Sequence, residues 1–167
     1  MTKRTLFIAL AVFLVLVASV LSLTVFAPRF NDRELVLRSL QESIDATKKG
    51  RPGGVLDNLS LELKVNESDV GSYRRDIAKW IRDQRPDIEV KSDVVTVNEQ
   101  EGIATMTAPV TVSLSLLGNQ QSFDLKDVRL VFRKEDARNY LIFPTRKWRL
   151  YQVSVPNEGI PPELTGL

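Results

Sequence analysis

The sequence predicts an α+β domain behind a single N-terminal transmembrane helix. Three observations point there: an uncharged apolar run of 22 residues near the start, two stretches of 3.6-residue periodicity after it, and a C-terminal half in which apolar residues recur at every second position. Helices placed ahead of consecutive antiparallel strands pack together on one face of the resulting sheet. No crossover helix separates the later strands, which disfavours a doubly wound fold.

The apolar run spans Leu6 to Ala27, with Ser19, Ser22 and Thr24 as its only polar members. As a helix it measures about 33 Å, close to the ~30 Å of hydrocarbon it would cross. A cleaved signal peptide is the competing reading, because Lys3 and Arg4 form a positive start and Val25-Phe26-Ala27 loosely meets the small-residue rule. Signal cores are usually shorter, and Pro28 would follow the cleavage point directly. An uncleaved anchor is therefore expected. Lys3, Arg4 and the amino terminus favour a cytoplasmic start, opposed by Arg29 and Arg33 on the other flank. The expected organisation is a cytoplasmic stretch at 1–5, a transmembrane helix at 6–27 in the cell (inner) membrane, an α+β domain at 28–155 in the periplasm or its equivalent, and an extended tail at 156–167.

Pro28 ends the membrane pattern, and Asn31 or Asp32 can cap the next helix, with Glu34 suited to its first turn. Val36, Leu37, Leu40 and Ile44, with Thr47 at the margin, share a stripe, predicting an amphipathic helix over 32–48. Gly50 to Gly54 should stop it, and these glycines lack the spacing of a phosphate-binding loop. Leu59, Leu61, Leu63 and Val65 alternate with polar residues, predicting a strand with those four side chains buried. Asn66 or Ser68 can cap a second helix through Val70, Tyr73, Ile77, Trp80 and Ile81, ending before Pro86. On its solvent face Asp76, Lys79 and Asp83 look like ion-pair partners. From Asp87 the period becomes 2. Ile88 to Val97 predicts one strand region and Ile103 to Leu116 a second, bent at Pro109. Phe123 to Phe132 predicts a third, whose phase change between Leu125 and Val128 marks a bulge. Lys134 to Lys147 is expected to be a connection, and Trp148 to Val155 the last strand.

This element order resembles the NTF2-like, or cystatin-like, superfamily, in which a curved sheet wraps around helices as a cone. The final Lys147-Trp148-Arg149-Leu150-Tyr151-Gln152-Val153 is similar to the terminal Trp-Arg strand of that group, and the likeness covers about residues 32–155. An anchor followed by such a domain also resembles membrane-anchored assembly components of bacterial secretion and conjugation systems, and accessory proteins of transport complexes. The superfamily includes enzymes of the ketosteroid isomerase type, with an acidic base inside an apolar cone. Such folds host unrelated functions, so the resemblance carries no active site onto these residues.

Composition removes several chemistries. There is no cysteine and no histidine, which excludes disulfides, thiolate catalysis, imidazole bases and the usual zinc sites. The net charge of +2 belongs to Lys3 and Arg4, since 21 basic and 21 acidic residues remain beyond the apolar run. A nucleic-acid partner loses its compositional support. No cofactor, metal site or catalytic residue is expected. Proton abstraction would need a carboxylate such as Asp76, Asp124 or Asp127 beside donors such as Tyr73, Tyr140 or Tyr151. Asp124, between Phe123 and Leu125, should face outward, and Asp127 should sit at the bulge.

One segment stands out for binding. Residues 133–149 carry six basic side chains against Glu135 and Asp136, with Tyr140, Leu141, Ile142 and Phe143 as an apolar centre. The partner-binding candidates are Tyr140, Leu141, Ile142, Phe143, Arg146 and Lys147. Such a patch suits an anionic partner or lipid headgroups, or else is a solvated loop and strand edge. Two functions follow as expectations. One is a non-catalytic interaction or assembly domain whose partners are membrane proteins or subunits of a membrane complex. The other is a cone pocket for a small apolar ligand, with or without enzymatic activity, marked by a cavity of at least ~300 Å³ with a convergent Asp and Tyr.

Overall fold

Asn31 opens the first helix with a reciprocal cap: its side chain accepts from the Glu34 N–H while the Glu34 carboxylate accepts from the Asn31 N–H. The helix, α1, runs Asp32–Lys48 as its periodicity predicts. Gly50, at φ 62°, closes it in a left-handed turn that a side chain would strain. The computed structural model describes residues 30–116, 119–139 and 143–156. Among them no helix is long and apolar enough to cross a membrane, and the span expected at 6–27 lies outside the described residues.

Past Gly50 the expected turn gives way to a short helix, α2, at Pro52–Leu56, with Pro in the first turn where its missing N–H costs nothing. Strand β1 follows at Leu59–Val65. The predicted second helix starts later than expected. Asn66 and Glu67, both at positive φ, instead form a tight turn into the two-residue strand β2, Ser68–Asp69. A 3₁₀ turn at Gly71–Tyr73 then leads into α3, Arg74–Gln84, which ends at left-handed Arg85 before Pro86. Among the described residues no ion pair joins Asp76, Lys79 and Asp83 on its solvent face.

The expected single strand from Ile88 to Val97 is two, β3 at Asp87–Val90 and β4 at Thr96–Asn98. Strand β5 spans Ile103–Leu116, β6 spans Asn119–Asn139 and β7 spans Phe143–Ser154. Pairing of β5 with β6 shifts between Ala108 and Val110, and Asp127 sits in that bulge at φ 53°. The stretch from Lys134 to Lys147, read from sequence as a connection, is mostly strand, because β6 and β7 continue as a paired ribbon to Asn139 and Phe143.

The strands make one curved sheet in the order β2-β1-β7-β6-β5-β3, with β4 also on β5. All neighbours are antiparallel except β1 and β7, which run parallel. Helix α1 lies in the concave face, where Val36 is fully buried among Ala104, Met106, Phe132 and Trp148. A smaller cluster of Ala46, Val55 and Ile81 joins the three helices.

The face of β1 departs from its simple alternation. Leu61 is 67% exposed whereas Ser60 is 1% exposed, since the register with β7 shifts between Leu59 and Lys64. Gly71 also approaches the Leu61 carbonyl so closely that any side chain there would collide with backbone.

Candidate functional site

The inside of the curve is occupied by the chain's own side chains. Trp148, Phe132 and Met106 are each at most 2% exposed. Trp148 is held at three points: its indole N–H donates to Asp32 Oδ1 at 3.0 Å, its carbonyl accepts from Ser39 Oγ at 3.0 Å, and the Lys134 ammonium stands 5.5 Å from its ring centroid. Lys134 also bridges both Asp32 oxygens at 2.8 and 3.0 Å. That ammonium holds the Asp32 carboxyl below its ordinary range against the opposing pull of burial, and the indole N–H adds to the effect. Asp32 is in the first turn of α1, where the helix dipole favours negative charge as well.

A second polar cluster covers the outer face where β1, β7 and β6 meet. Glu135 accepts from Ser60 Oγ at 2.6 Å, from Arg133 at 2.8 Å and from Arg149 at 3.3 Å. Arg133 reaches Glu62 at 3.0 Å and lies 4.3 Å over the Tyr151 ring. Burial pushes the Glu135 carboxyl up, but the Ser60, Arg133 and Arg149 donors outweigh it, leaving a net shift downward. The charges balance and the donors are satisfied, so this cluster fastens strands and leaves no free acid or base.

An open groove runs between α1 and β3. Its volume is about 600 Å³, its floor is Leu37, Leu40, Ile44, Ile88 and Val90, and carboxylates Glu89 and Asp93 stand on its rim. The volume exceeds the expected threshold for a ligand site, but no tyrosine among the described residues lines it. Arg33 lies at the Asp93 carbonyl and carboxylate, 3.1 and 3.9 Å away.

The candidates for proton abstraction are spread over several elements, and Tyr140 lies outside the described residues. Asp124 faces outward as expected and accepts from Thr111 Oγ1 at 2.6 Å. Asp127 is in the bulge, Tyr73 is 58% exposed, and Tyr151 lies under Arg133. Among the described residues no group of three acidic side chains is placed to hold a metal ion. Of the binding candidates, Tyr140, Leu141 and Ile142 lie outside the described residues, and Phe143 opens β7 opposite Asn139. Arg146 and Lys147 share a shallow recess of about 170 Å³ with Leu35, Arg38, Glu42 and Trp148. Sequence reasoning missed Asp32, Ser60 and Glu135 as organising residues; Ser60 bonds Glu135 across 75 positions and Asp32 bonds Trp148 across 116.

No family model and no curated protein matches this chain. Solved structures do match in shape. The S. rosetta CaMKII hub superposes with a TM-score of 0.57 at 12% identity, covering 77% of this chain and 98% of that one. An NTF2-like protein of unknown function in nutrient uptake from Rhodospirillum rubrum gives 0.53 at 12% identity over 75% and 97%. An NTF2-like superfamily protein from Salmonella enterica gives 0.53 at 10% identity over 74% and 89%. The described domain therefore has the NTF2-like fold, and identities this low establish fold alone.

Proposed function

We propose that this protein is a membrane-anchored, non-catalytic interaction or assembly domain of a membrane complex. The observation that carries the reading is the conjunction of an uncharged 22-residue run with a cone whose interior is filled by Met106, Phe132 and Trp148. A run of that length is stable in lipid as a helix because its backbone satisfies itself there. A filled cone leaves surfaces, rather than an enclosed chamber, to meet a partner. The anchor confines encounters to the membrane and raises local concentration without tight intrinsic affinity. The matched CaMKII structure is of a hub, which is consistent with this kind of role for the fold.

The test is crosslinking of native membranes followed by isolation in mild detergent. A membrane-protein partner recovered in fixed proportion supports the proposal, whereas a chain that stays monomeric and alone at native expression overturns it. Washing with alkaline carbonate checks the anchor, which should hold intact protein in the pellet.

A second reading rests on the groove between α1 and β3, whose apolar floor and volume of about 600 Å³ fit a small apolar ligand. Saturable binding of a fluorescent fatty-acid probe, abolished in Leu40→Arg with the fold intact, supports it. Unsaturable binding removes it.

A further inference from the structure

Among the described residues, Lys134 to Asn139 of β6 pair with Trp148 to Phe143 of β7 and with no third strand, because β5 begins opposite Arg133 and β1 meets β7 only from Leu150 onward. This two-stranded ribbon therefore runs past the end of the sheet. Its base cannot swing freely, since Lys134 and Trp148 are both bonded to Asp32 at the start of α1. Asp32 follows Ala27 by five residues, a reach of at most about 17 Å.

The charges on the ribbon divide in two. Arg133 and Arg149 are turned onto Glu135 and Glu62, with their side chains 31% and 24% exposed. Arg146 is 70% exposed, and its ion pair is a loose 3.6 Å approach to Asp136, which is 94% exposed. Water screens so open a pair, leaving the guanidinium's charge largely available. Lys147 makes no ion pair among the described residues, and the nearby Glu42 is engaged by Arg38 at 2.9 Å. Beyond the apolar run the chain has balanced charge, yet residues 133–149 hold an excess of four positive charges.

We infer that the Arg146 and Lys147 flank of the β6–β7 ribbon rests on the anionic phospholipid headgroups of the bilayer that holds the anchor. The inference rests on the membrane-anchor reading and adds a lipid partner to it. Basic side chains gain from an anionic leaflet only within about a Debye length of it, so the contact is short-ranged and weakened by salt.

The absence of cysteine makes the test clean, because one introduced thiol is the only labelling site. Full-length protein carrying Thr145→Cys with a fluorophore is reconstituted into phosphatidylcholine vesicles with or without phosphatidylglycerol, each containing a headgroup-linked quencher. Ser122→Cys, in the opposite half of β6, is the control. Quenching at position 145 should be about threefold stronger with the anionic lipid, and should fall to the zwitterionic level in about 0.5 M salt. It should fall likewise in R146E/K147E, while position 122 stays unchanged. Equal quenching at 145 in both vesicles overturns the inference; the salt arm needs no variant and so does not depend on a mutant folding. Energy transfer between labelled copies that is independent of lipid assigns the ribbon to a second copy of the chain, which also overturns it. Protein that fails to float with the vesicles defeats the anchor reading together with this one, whereas protein that floats without anionic-dependent quenching defeats this one alone.

Discussion

Strand β6 is shared by two halves of very different chemistry. Its first half pairs with β5 as a long hairpin, and residues 103–125 hold a single charged side chain, Asp124. On the outer face there, hydroxyls meet across the strands, with Ser113 and Ser122 at 2.8 Å beside the Thr111 to Asp124 bond. The second half pairs with β7 and crowds Arg133, Glu135 and Arg149 against Ser60, with Glu135 only 15% exposed. In the hairpin half, exposed hydroxyls and one carboxylate keep a strand pair solvated. In the ribbon half, neighbouring β1 and α1 partly exclude water, so the same backbone geometry gives ion pairs more weight. The lesson is that pairing alone does not set what a side-chain contact contributes; exclusion of water does.

That contrast can be broken most forcefully at Trp148. Trp148→Ala removes a fully buried ring and the donor that ties the ribbon to Asp32, and should cost about 3–5 kcal/mol in denaturant unfolding. Next comes Glu135→Ala, which removes the carboxylate shared by Ser60, Arg133 and Arg149 and should cost about 1–3 kcal/mol, since Arg133 keeps Glu62 and Arg149 keeps the Asp57 carbonyl.

Acid titration sharpens the comparison. Asp32 and Glu135 both have folded-state pKa values lowered from ordinary values of 3.8 and 4.5. Their contribution is therefore complete above those values and is lost as pH falls through the lower folded ones. Denaturation midpoints measured from pH 7 to pH 3 should hold steady and then drop below about pH 4.5, and Glu135→Gln should flatten that drop. The smallest effect belongs to the hairpin half, where Asp124→Ala should cost under about 0.5 kcal/mol by the same denaturation measurement. A value for Asp124 equal to that for Glu135 would erase the distinction.

Much of the scaffold was legible because its signals are local. The stripe on α1, the caps around Asn31 and the skipped residues between Leu125 and Val128 each lie within a few positions of the feature they specify. The ribbon was not legible as strand. Lys134, Glu135 and Asp136 put charge on both faces, so no alternation of apolar and polar residues betrays it. What orders it are side chains from β1 and α1. The same cause inverted Ser60 and Leu61: nearest-neighbour alternation buries the leucine, while a distant glutamate and the shifted register draw in the serine. Of the binding candidates, only Arg146 and Lys147 have described side chains, and their type was readable while their place beside α1 was not.

Asp32 and Trp148 are 116 positions apart, and parallel pairing of β1 waits on the same late strand. A ribosome adding roughly 5–20 residues per second leaves the first helix without its indole partner for on the order of ten seconds. The first helix and β1 therefore stay without these partners until the last strand emerges, and a message truncated before Trp148 yields a chain that lacks the ring at the centre of its own core.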